Sequence, residues 1–392
     1  MKYFVDASFS SLNKHGEELC GDNVEIINTK DKVIIVMADG LGSGVKANIL
    51  STMTSKIAAT MLSGGASLSE TVDTIVHTLP VCNVRKLAYS TFTIVVINND
   101  GECYVAEYDN PPIFFFRRNN YLIVDKKESE INGKKVLESN FKLKEGDKLV
   151  IASDGVVHAG IGGLLNLGWR WENIKDFLDR EVKSSNNSKI INSRLIEKCR
   201  VLYQDYPGDD TTVVSIIIDK PKNVCIFTGP PRDKRYDSLA VTKLMCFDGR
   251  KVVCGGTTGK IVERQIHREI HVLLNTMTRE IPPMGYLDGI DLVTEGVITL
   301  SRTLEKLRKY KESSKKEDIE ELFSKDDGAS RLTELLIKDC NNLKMIVGTA
   351  INPAHQNPNF PIDLSIKLKL IKEIGKTLEE LGKNVEIEYI DC

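Results

Sequence analysis

Acidic residues stand at the ends of several apolar, strand-like segments of this sequence. Asp39 ends the run VIIVMAD and Asp154 ends the run KLVIASD, so both carboxylates follow a strand in the same way. Asp22 in CGDNVEII and the pair Asp209 and Asp210 in GDDTTVVSIII lie at the mouths of two further predicted strands. Because side chains at strand ends can converge at one edge of a sheet, these carboxylates are candidates for a shared site.

A group of carboxylates needs cations to be stable. Without them, mutual repulsion raises the pKa values of the acids and destabilises the fold. Mg²⁺ and Mn²⁺ favour oxygen ligands in octahedral shells that retain several waters. A few carboxylates that hold two such ions roughly 3.5 to 4 Å apart are the expected geometry of a hydrolytic two-metal site. The pattern therefore predicts two divalent cations, Mn²⁺ or Mg²⁺, as cofactors.

The glycines after Asp39 allow another interpretation. In VIIVMADGLGSG they alternate after a strand, as they do where backbone amides cradle the phosphates of a dinucleotide. That fingerprint requires a third Gly or Ala at Val45 and an acidic residue about twenty positions on, and the sequence has neither. Asp-Gly pairs also form ordinary turns, and Asp100 between two hairpin strands is an example. We interpret Gly42 to Gly44 as the turn into a helix that begins near Val45.

Several segments together resemble a known family. In their order and spacing they are similar to the motif set of the metal-dependent PPM (PP2C-type) protein phosphatases, in the bacterial branch typified by SpoIIE. The resemblance covers residues 1–220. The segments are GDN at 21–23, ADGLGSG at 38–44, NPPIFFFRR at 110–118, SDGV at 153–156 and GDDTTVV at 208–214.

This resemblance implies a serine/threonine phosphoprotein phosphatase with an αββα sandwich. It implies a phosphorylated protein substrate, of the anti-sigma-factor antagonist type in this branch. Asp210 is assigned a supporting place, because Asp209 takes the first position of the acidic pair. The implied metal ligands, which also carry the catalysis through metal-bound water, are Asp22, Asp39, Asp154 and Asp209, together with the carbonyl of Gly40.

The general acid is not assigned by the resemblance. In the eukaryotic PP2C branch a histidine follows the Asp-Gly of the second motif, whereas Leu41 stands there in this sequence. His15 and His158 are the histidines nearest to the motifs. For both, an ordinary surface or packed position is the favoured interpretation.

The pattern of predicted secondary structure changes at residues 219–223. Before them, strand-like segments with hairpin turns and two helical regions predict an α+β fold of two antiparallel sheets flanked by helices. After them, strands alternate with helical runs such as GKIVERQIHREIHVLL, which predicts a smaller α/β domain. The predicted domains are 1–220, the phosphatase domain, and 221–392, an accessory domain.

The first predicted helix and the accessory domain carry more specific expectations. Leu50, Met53, Ile57 and Met61 recur at helical spacing and predict an apolar stripe that faces the core. In the accessory domain, the glycines and threonines of 255–258 follow a strand but lack the P-loop spacing and hydroxyl. With FTGPP and VGTAIN they could form one crevice for a small anionic ligand. A purely structural role, or the formation of a homodimer, is the alternative.

The composition of the chain narrows its possible partners and its cellular compartment. The net charge of -2 gives no reason to expect a nucleic-acid or anionic-membrane partner. Nine scattered cysteines without a CxxC pair are typical of a reduced cytosolic protein, and no apolar run approaches membrane-spanning length. We therefore expect a cytoplasmic enzyme. A catalytically inactive phosphoprotein-binding scaffold is the alternative, and the retention of all four acidic positions argues against it.

Overall fold

The computed structural model describes residues 3–78, 90–131, 133–313, 316–350 and 366–390. The chain divides into two compact units, Met1–Lys220 and Pro221–Cys392. Among the helices of the described segments, none combines the length and the apolar character needed to cross a membrane.

The first unit contains two sheets whose strands all pair antiparallel. One sheet has the order β1-β11-β10-β6-β7 and the other β2-β3-β4-β5-β9-β8. The strands are β1 Phe4–Leu12, β2 Asp22–Asn28, β3 Lys32–Gly40, β4 Ser90–Asn98, β5 Glu102–Tyr108, β6 Phe114–Arg117, β7 Asn120–Leu122, β8 Lys127–Ile131, β9 Lys134–Lys142, β10 Lys148–Ala152 and β11 Thr211–Asp219.

Helices cover the outer faces of both sheets. They are α1 Gly44–Ser63, α2 Leu68–Thr78, α3 Asp154–Val157, α4 Trp171–Ser184 and α5 Ser188–Leu202. Strand β3 shows why its sequence is apolar without alternation. Ile35 and Met37 point into the core between the sheets, whereas Ile34 and Val36 pack against α1 and α2. A strand buried on both faces is a continuous hydrophobic run. The αββα sandwich that the sequence predicts is confirmed.

The predicted apolar stripe of α1 is confirmed at Leu50 and in part at Ile57, which packs partly buried against the core, but it is wrong at Met53. Met53 is 37% exposed, whereas Ala47, Thr54 and Ala58 are fully buried. A Cβ on Gly40 would lie only 2.0 Å from the Ala47 carbonyl oxygen, so α1 lies too close to β3 for large side chains. Small residues therefore form the buried face, and periodicity alone could not show that preference.

The second unit is built around a seven-stranded sheet with the order β14-β15-β16-β13-β12-β17-β18. Strands β16, β13, β12, β17 and β18 are parallel, and β14 and β15 add an antiparallel edge. The elements are β12 Asn223–Thr228, α6 Asp237–Met245, β13 Arg250–Cys254, α7 Gly256–Ile266, β14 His271–Leu273, β15 Met284–Leu287, β16 Ile290–Thr294, α8 Val297–Glu312, α9 Lys316–Glu321, α10 Gly328–Lys338, β17 Asn342–Gly348, α11 Ile366–Glu380 and β18 Asn384–Ile390.

One predicted helix of this unit is shorter than its sequence pattern suggests. The run GKIVERQIHREIHVLL ends its helix at Ile266, because His267 adopts a left-handed conformation at φ 57°. The chain then turns, and His271–Leu273 pair with β15 instead of extending α7. A left-handed residue terminates helices, but it is commonly glycine, and histidine gives no such signal in a sequence.

Candidate metal centre

Strands β2 and β3 bring two of the acids together. Asp22 and Asp39 are directly opposite each other in the antiparallel register. Such partners have Cβ atoms about 4.5 to 5.5 Å apart. The Gly40 amide donates a hydrogen bond of 3.1 Å to the Gly21 carbonyl, and the Ser90 hydroxyl donates one of 2.8 Å to the Asp39 carbonyl. The ends of both strands are therefore held in place.

The other sheet supplies the remaining acids from β10 and β11. The Ser153 amide donates to the Thr212 carbonyl at 2.9 Å, and the Thr212 amide donates to the Ser153 hydroxyl at 2.8 Å. This reciprocal pair joins the end of β10 to the start of β11. Asp154, at the first position of α3, therefore lies beside Asp209 and Asp210.

Glycines let these segments approach one another closely. A Cβ on Gly155 would lie 2.0 Å from the Asp210 carbonyl oxygen, and a Cβ on Gly21 would lie 2.7 Å from the Asp210 Oδ2 atom. Real Cβ atoms do not tolerate such distances, so any side chain here would push the acidic segments apart. The glycines of the Asp-Gly and Gly-Asp motifs are therefore packing residues of the cluster.

The acids influence one another electrostatically. Burial is the main cause that raises the pKa of Asp39, to about 9, and the charges of Asp22, Asp154 and Asp209 add to it. Burial likewise raises the pKa of Asp22, to about 7, with further increases from Asp210 and Asp154. The pKa of Asp209 is also raised, by burial and then by Asp154. The structure thus brings all four predicted ligands, and Asp210, into one electrostatic cluster.

Two members of the cluster have buried oxygen atoms without a hydrogen-bond partner. Asp22 is 5% exposed, and neither of its carboxylate oxygens has a partner of proper geometry, although the Thr212 and Ser153 hydroxyls are near enough to lower its pKa. Asp210 Oδ2 is also without a partner, while Oδ1 accepts from the Lys14 amide at 3.0 Å. Unpaired buried oxygens are costly, and a cation would satisfy them.

The oxygen donors fit Mg²⁺ or Mn²⁺ in their chemistry. Across the segments that the structure describes, no group of three or more His, Cys, Asp or Glu side chains is already arranged to hold a metal ion. Burial and, to a smaller extent, the charges of neighbouring acids disfavour the ionised forms of Asp22 and Asp39, and a bound cation would offset both effects.

Sequence reasoning gave too little weight to Asp210 and none to Lys14. Asp210 is more deeply buried than a supporting role suggests, with 4% exposure, and its charge acts on Asp22. The Lys14 charge lowers the pKa of Asp209, and its amide holds Asp210. The two consecutive acids were a visible signal for Asp210, but nothing in the sequence marks Lys14.

The two histidines have ordinary packed or capping positions. His15 is exposed, and its ring lies edge-on against Tyr206 with centroids 4.7 Å apart. His158 follows α3, and its amide donates to the Asp154 carbonyl at 2.8 Å. Neither histidine is among the largest causes of the raised pKa values of Asp22, Asp39 or Asp209. The general acid stays unassigned.

Comparisons with known proteins find similarity to the first unit. The model of the family described as Stage II sporulation protein E (SpoIIE) matches residues 29–219. The Stage II sporulation protein E of Bacillus subtilis (strain 168) is 25% identical over 224 residues, which are 55% of this chain and 26% of that protein. This chain thus spans about a quarter of the length of that curated relative.

Solved structures show the same similarity. The PP2C phosphatase domain of SpoIIE from Bacillus subtilis, with a fragment of its regulatory domain, is 25% identical, with a TM-score of 0.48, over 56% of this chain and 64% of that one. RsbX in complex with magnesium is 18% identical, with a TM-score of 0.40, over 56% and 97%. The first unit is a SpoIIE-type, PP2C-like phosphatase domain. PP2C-type phosphatases are generally metal-dependent.

Proposed function

We propose that this protein is a metal-dependent phosphoserine or phosphothreonine protein phosphatase of cytoplasmic regulatory signalling. The observation that supports this proposal is the cluster of uncompensated carboxylates that the SpoIIE-type motifs form at the strand ends. Its proposed substrate is a phosphorylated protein, of the anti-sigma-factor antagonist type that the domain class suggests.

The residues have distinct roles in this proposal. Asp22, Asp39, Asp154 and Asp209, with the Gly40 carbonyl, would hold two divalent cations, Mn²⁺ or Mg²⁺. When bound, such ions neutralise phosphoryl oxygens and make a water molecule ionisable near neutral pH for in-line displacement. The register of β2 with β3 and the hydrogen bonds between Ser153 and Thr212 support this assignment, because they hold the acids near one another.

A covalent mechanism through the nearby cysteine is disfavoured. Cys20 lies beside the cluster, but burial and the negative charge of Asp22 raise the pKa of its thiol to about 12. The thiolate is the nucleophilic form, so a thiol with this pKa is inert near neutral pH. Our proposal therefore assigns no nucleophilic role to Cys20.

Hydrolysis assays test the proposal directly. We expect the full chain to hydrolyse p-nitrophenyl phosphate and a serine-phosphorylated protein with Mn²⁺, and to lose both activities in chelator. Asp39→Asn should be inactive, whereas Asp100→Asn, in a hairpin turn, is the matched control. Activity that persists undiminished in chelator and in Asp39→Asn would show that the metal mechanism is wrong. A wild-type chain that binds Mn²⁺ and the phosphoprotein but hydrolyses neither substrate would favour the inactive scaffold.

A small anionic ligand in the second unit is a separate part of the proposal. The chain runs from β12 to β13 and β16 on one side and returns to β17 and β18 on the other, so the carboxyl ends of β12 and β17 form a topological switch point. Ligands of open α/β sheets bind there. The Gly229 amide at this edge donates to the Thr258 hydroxyl at 2.9 Å, which joins the β12 end to the first turn of α7. Residues 351 and 352 of VGTAIN lie outside the described residues.

Calorimetry of the full chain with inorganic phosphate and with nucleoside monophosphates tests this ligand. We expect saturable binding that weakens in Lys260→Ala, a substitution in the first turns of α7, and not in Lys338→Ala at the far end of α10. Heat that remains at the level of dilution with millimolar probe would leave the second unit with a structural or dimerising role.

A further inference from the structure

A cluster of large apolar side chains lies exposed at one edge of the second unit. All five belong to β14, to the turn that follows it, or to β15, and we call them the β14 edge. An exposed apolar cluster of this kind marks an interaction site more often than scattered single residues do. The members are Val272 at 57% exposure, Leu273 at 39%, Leu274 at 73%, Met277 at 62% and Tyr286 at 54%.

The backbone of β14 is also open to a partner. Strand β14 is last in its sheet and pairs only with β15 among the strands that the structure describes. Natural edge strands are protected by charged residues, proline or bulges. The run HVLLNTM at 271–277 contains no Lys, Arg, Asp, Glu or Pro. At the opposite edge of the sheet, β18 carries Glu386 and Glu388.

The segments that carry the β14 edge are held in place by packing and hydrogen bonds. Ile270 packs so closely on Gly285 that a Cβ there would lie 2.9 Å from its Cγ2 atom, and the Ile270 amide donates to Glu263 Oε1 at 2.9 Å. The buried Thr276 hydroxyl accepts from the Met284 amide at 2.9 Å and donates to the Leu273 carbonyl at 2.7 Å. The exposed side chains thus stand on a preorganised support, which reduces the entropy lost on association.

We propose that the β14 edge is an interface between two copies of this chain, paired antiparallel across a two-fold axis. In such an arrangement both copies present the same residues, so an uncharged edge is complementary to itself. A partner at this edge must offer unpaired backbone groups and an apolar face without opposing charges. A second copy brings both, and this association does not depend on the proposed phosphatase activity.

The size of the edge agrees with a dimer. Five half-exposed apolar side chains present on the order of 500 Å² per copy, which is most of the roughly 800 Å² that each partner buries in a standard interface. Pairing of the two β14 strands would add backbone hydrogen bonds between them. The two seven-stranded sheets would then form one continuous sheet of fourteen strands across the two copies.

The oligomeric state of the full chain tests this interface. By light scattering after size exclusion we expect a wild-type dimer, and a monomer for Leu274→Lys, because two lysines would face each other across the axis. Val201→Lys on α5, at an apolar site of 54% exposure, is the control and should stay dimeric. Circular dichroism confirms that each variant is folded. A wild-type chain that is monomeric at about 100 µM overturns the proposal, because this concentration is far above the Kd of a specific dimer. A Leu274→Lys variant that stays dimeric overturns it as well.

Crosslinking gives a second measurement that does not rely on destabilising the edge. In a Cys246→Ser background, Val272→Cys, Leu273→Cys and Leu274→Cys are oxidised separately and compared with the background protein and with Val201→Cys. Antiparallel pairing predicts an interchain disulfide for at least one position of the β14 edge and none for Val201→Cys. Failure of all three positions to crosslink above the background would contradict the two-fold arrangement.

Discussion

Two aspartates at opposite ends of β10 have different electrostatic surroundings. At the start of the strand, Asp147 is 1% exposed and accepts hydrogen bonds from Arg117 Nε at 3.0 Å, Arg117 Nη2 at 2.7 Å and the Lys144 amide at 2.8 Å. Just past the other end, Asp154 lies among further acids and raises the pKa values of Asp39 and Asp209. One carboxylate is fully compensated and the other is surrounded by like charge.

Compensation therefore separates the structural acids of this domain from those that we propose to be functional. Next to Asp147, burial lowers the pKa of Lys148 to about 8, but its ammonium group donates to Asn119 Oδ1 and to the Ser185 and Val182 carbonyls. Each buried charge at that end has partners within the chain. Both carboxylate oxygens of Asp22 and the Oδ2 atom of Asp210 have none, so that end of the sandwich has capacity for a cation.

The largest expected effect is at the uncompensated end. Asp154→Asn removes a charge that the proposed cations need, so kcat/KM for p-nitrophenyl phosphate should fall by roughly 1000-fold or more. The unfolding midpoint in chelator should stay the same or rise, because like-charge repulsion decreases. Urea titrations in chelator provide that check, and a marked loss of stability would remove the distinction between the two ends.

At the start of β10, where Asp147 has hydrogen-bond partners, removal of a charged side chain should lower the free energy of unfolding. Arg117→Met leaves Asp147 buried without its partner, and breaking such a pair costs about 3 kcal/mol of unfolding free energy. Arg117→Met combined with Asp147→Leu should recover much of that loss, because no unpaired charge remains. Chemical denaturation measures both variants. An unchanged midpoint for Arg117→Met would mean that solvent already stabilises the carboxylate.

The stability of the metal-free protein should decrease as the pH rises, because folding raises the pKa values of buried acids. Burial raises the pKa of Asp22 from 3.8 to about 7 and that of Asp39 to about 9, so the folded chain binds more protons than the unfolded chain between pH 4 and 9. Stability of the metal-free protein must then fall as the pH rises through this window. Thermal melts at pH 5 and pH 8 in chelator measure the difference, and Mn²⁺ should reverse it. Asp39→Asn should flatten the profile; a flat wild-type profile would contradict the cluster.

The smallest effect is expected at an acid that belongs to neither end. Asp100 lies in the turn between β4 and β5, and its Oδ1 atom accepts from the Glu102 amide at 3.1 Å. Asp100→Asn keeps an acceptor there and should change stability by less than about 0.5 kcal/mol. Activity should not change. A large loss of activity in this variant would show that Asp-Gly pairs outside the cluster also matter.

The sequence by itself determined the αββα sandwich and the set of acidic motifs. Apolar runs predicted strands such as β3, and the acids at the ends of those runs supplied Asp39 and Asp154. These features are local, because strand patterning and turn chemistry act over a few residues. The resemblance of the acidic motifs to the PPM family implied the class of the first domain.

Only the tertiary structure decided how the pieces meet. The small residues on the buried face of α1 follow from the close approach of this helix to Gly40. The burial of Asp210 follows from its contact with Gly155. The break after Ile266 and the open β14 edge depend on a left-handed histidine and on pairing with β15. These are long-range or strained arrangements, and no periodicity in the chain encodes them. The compensation of Asp147 by Arg117, thirty residues away, is of the same kind.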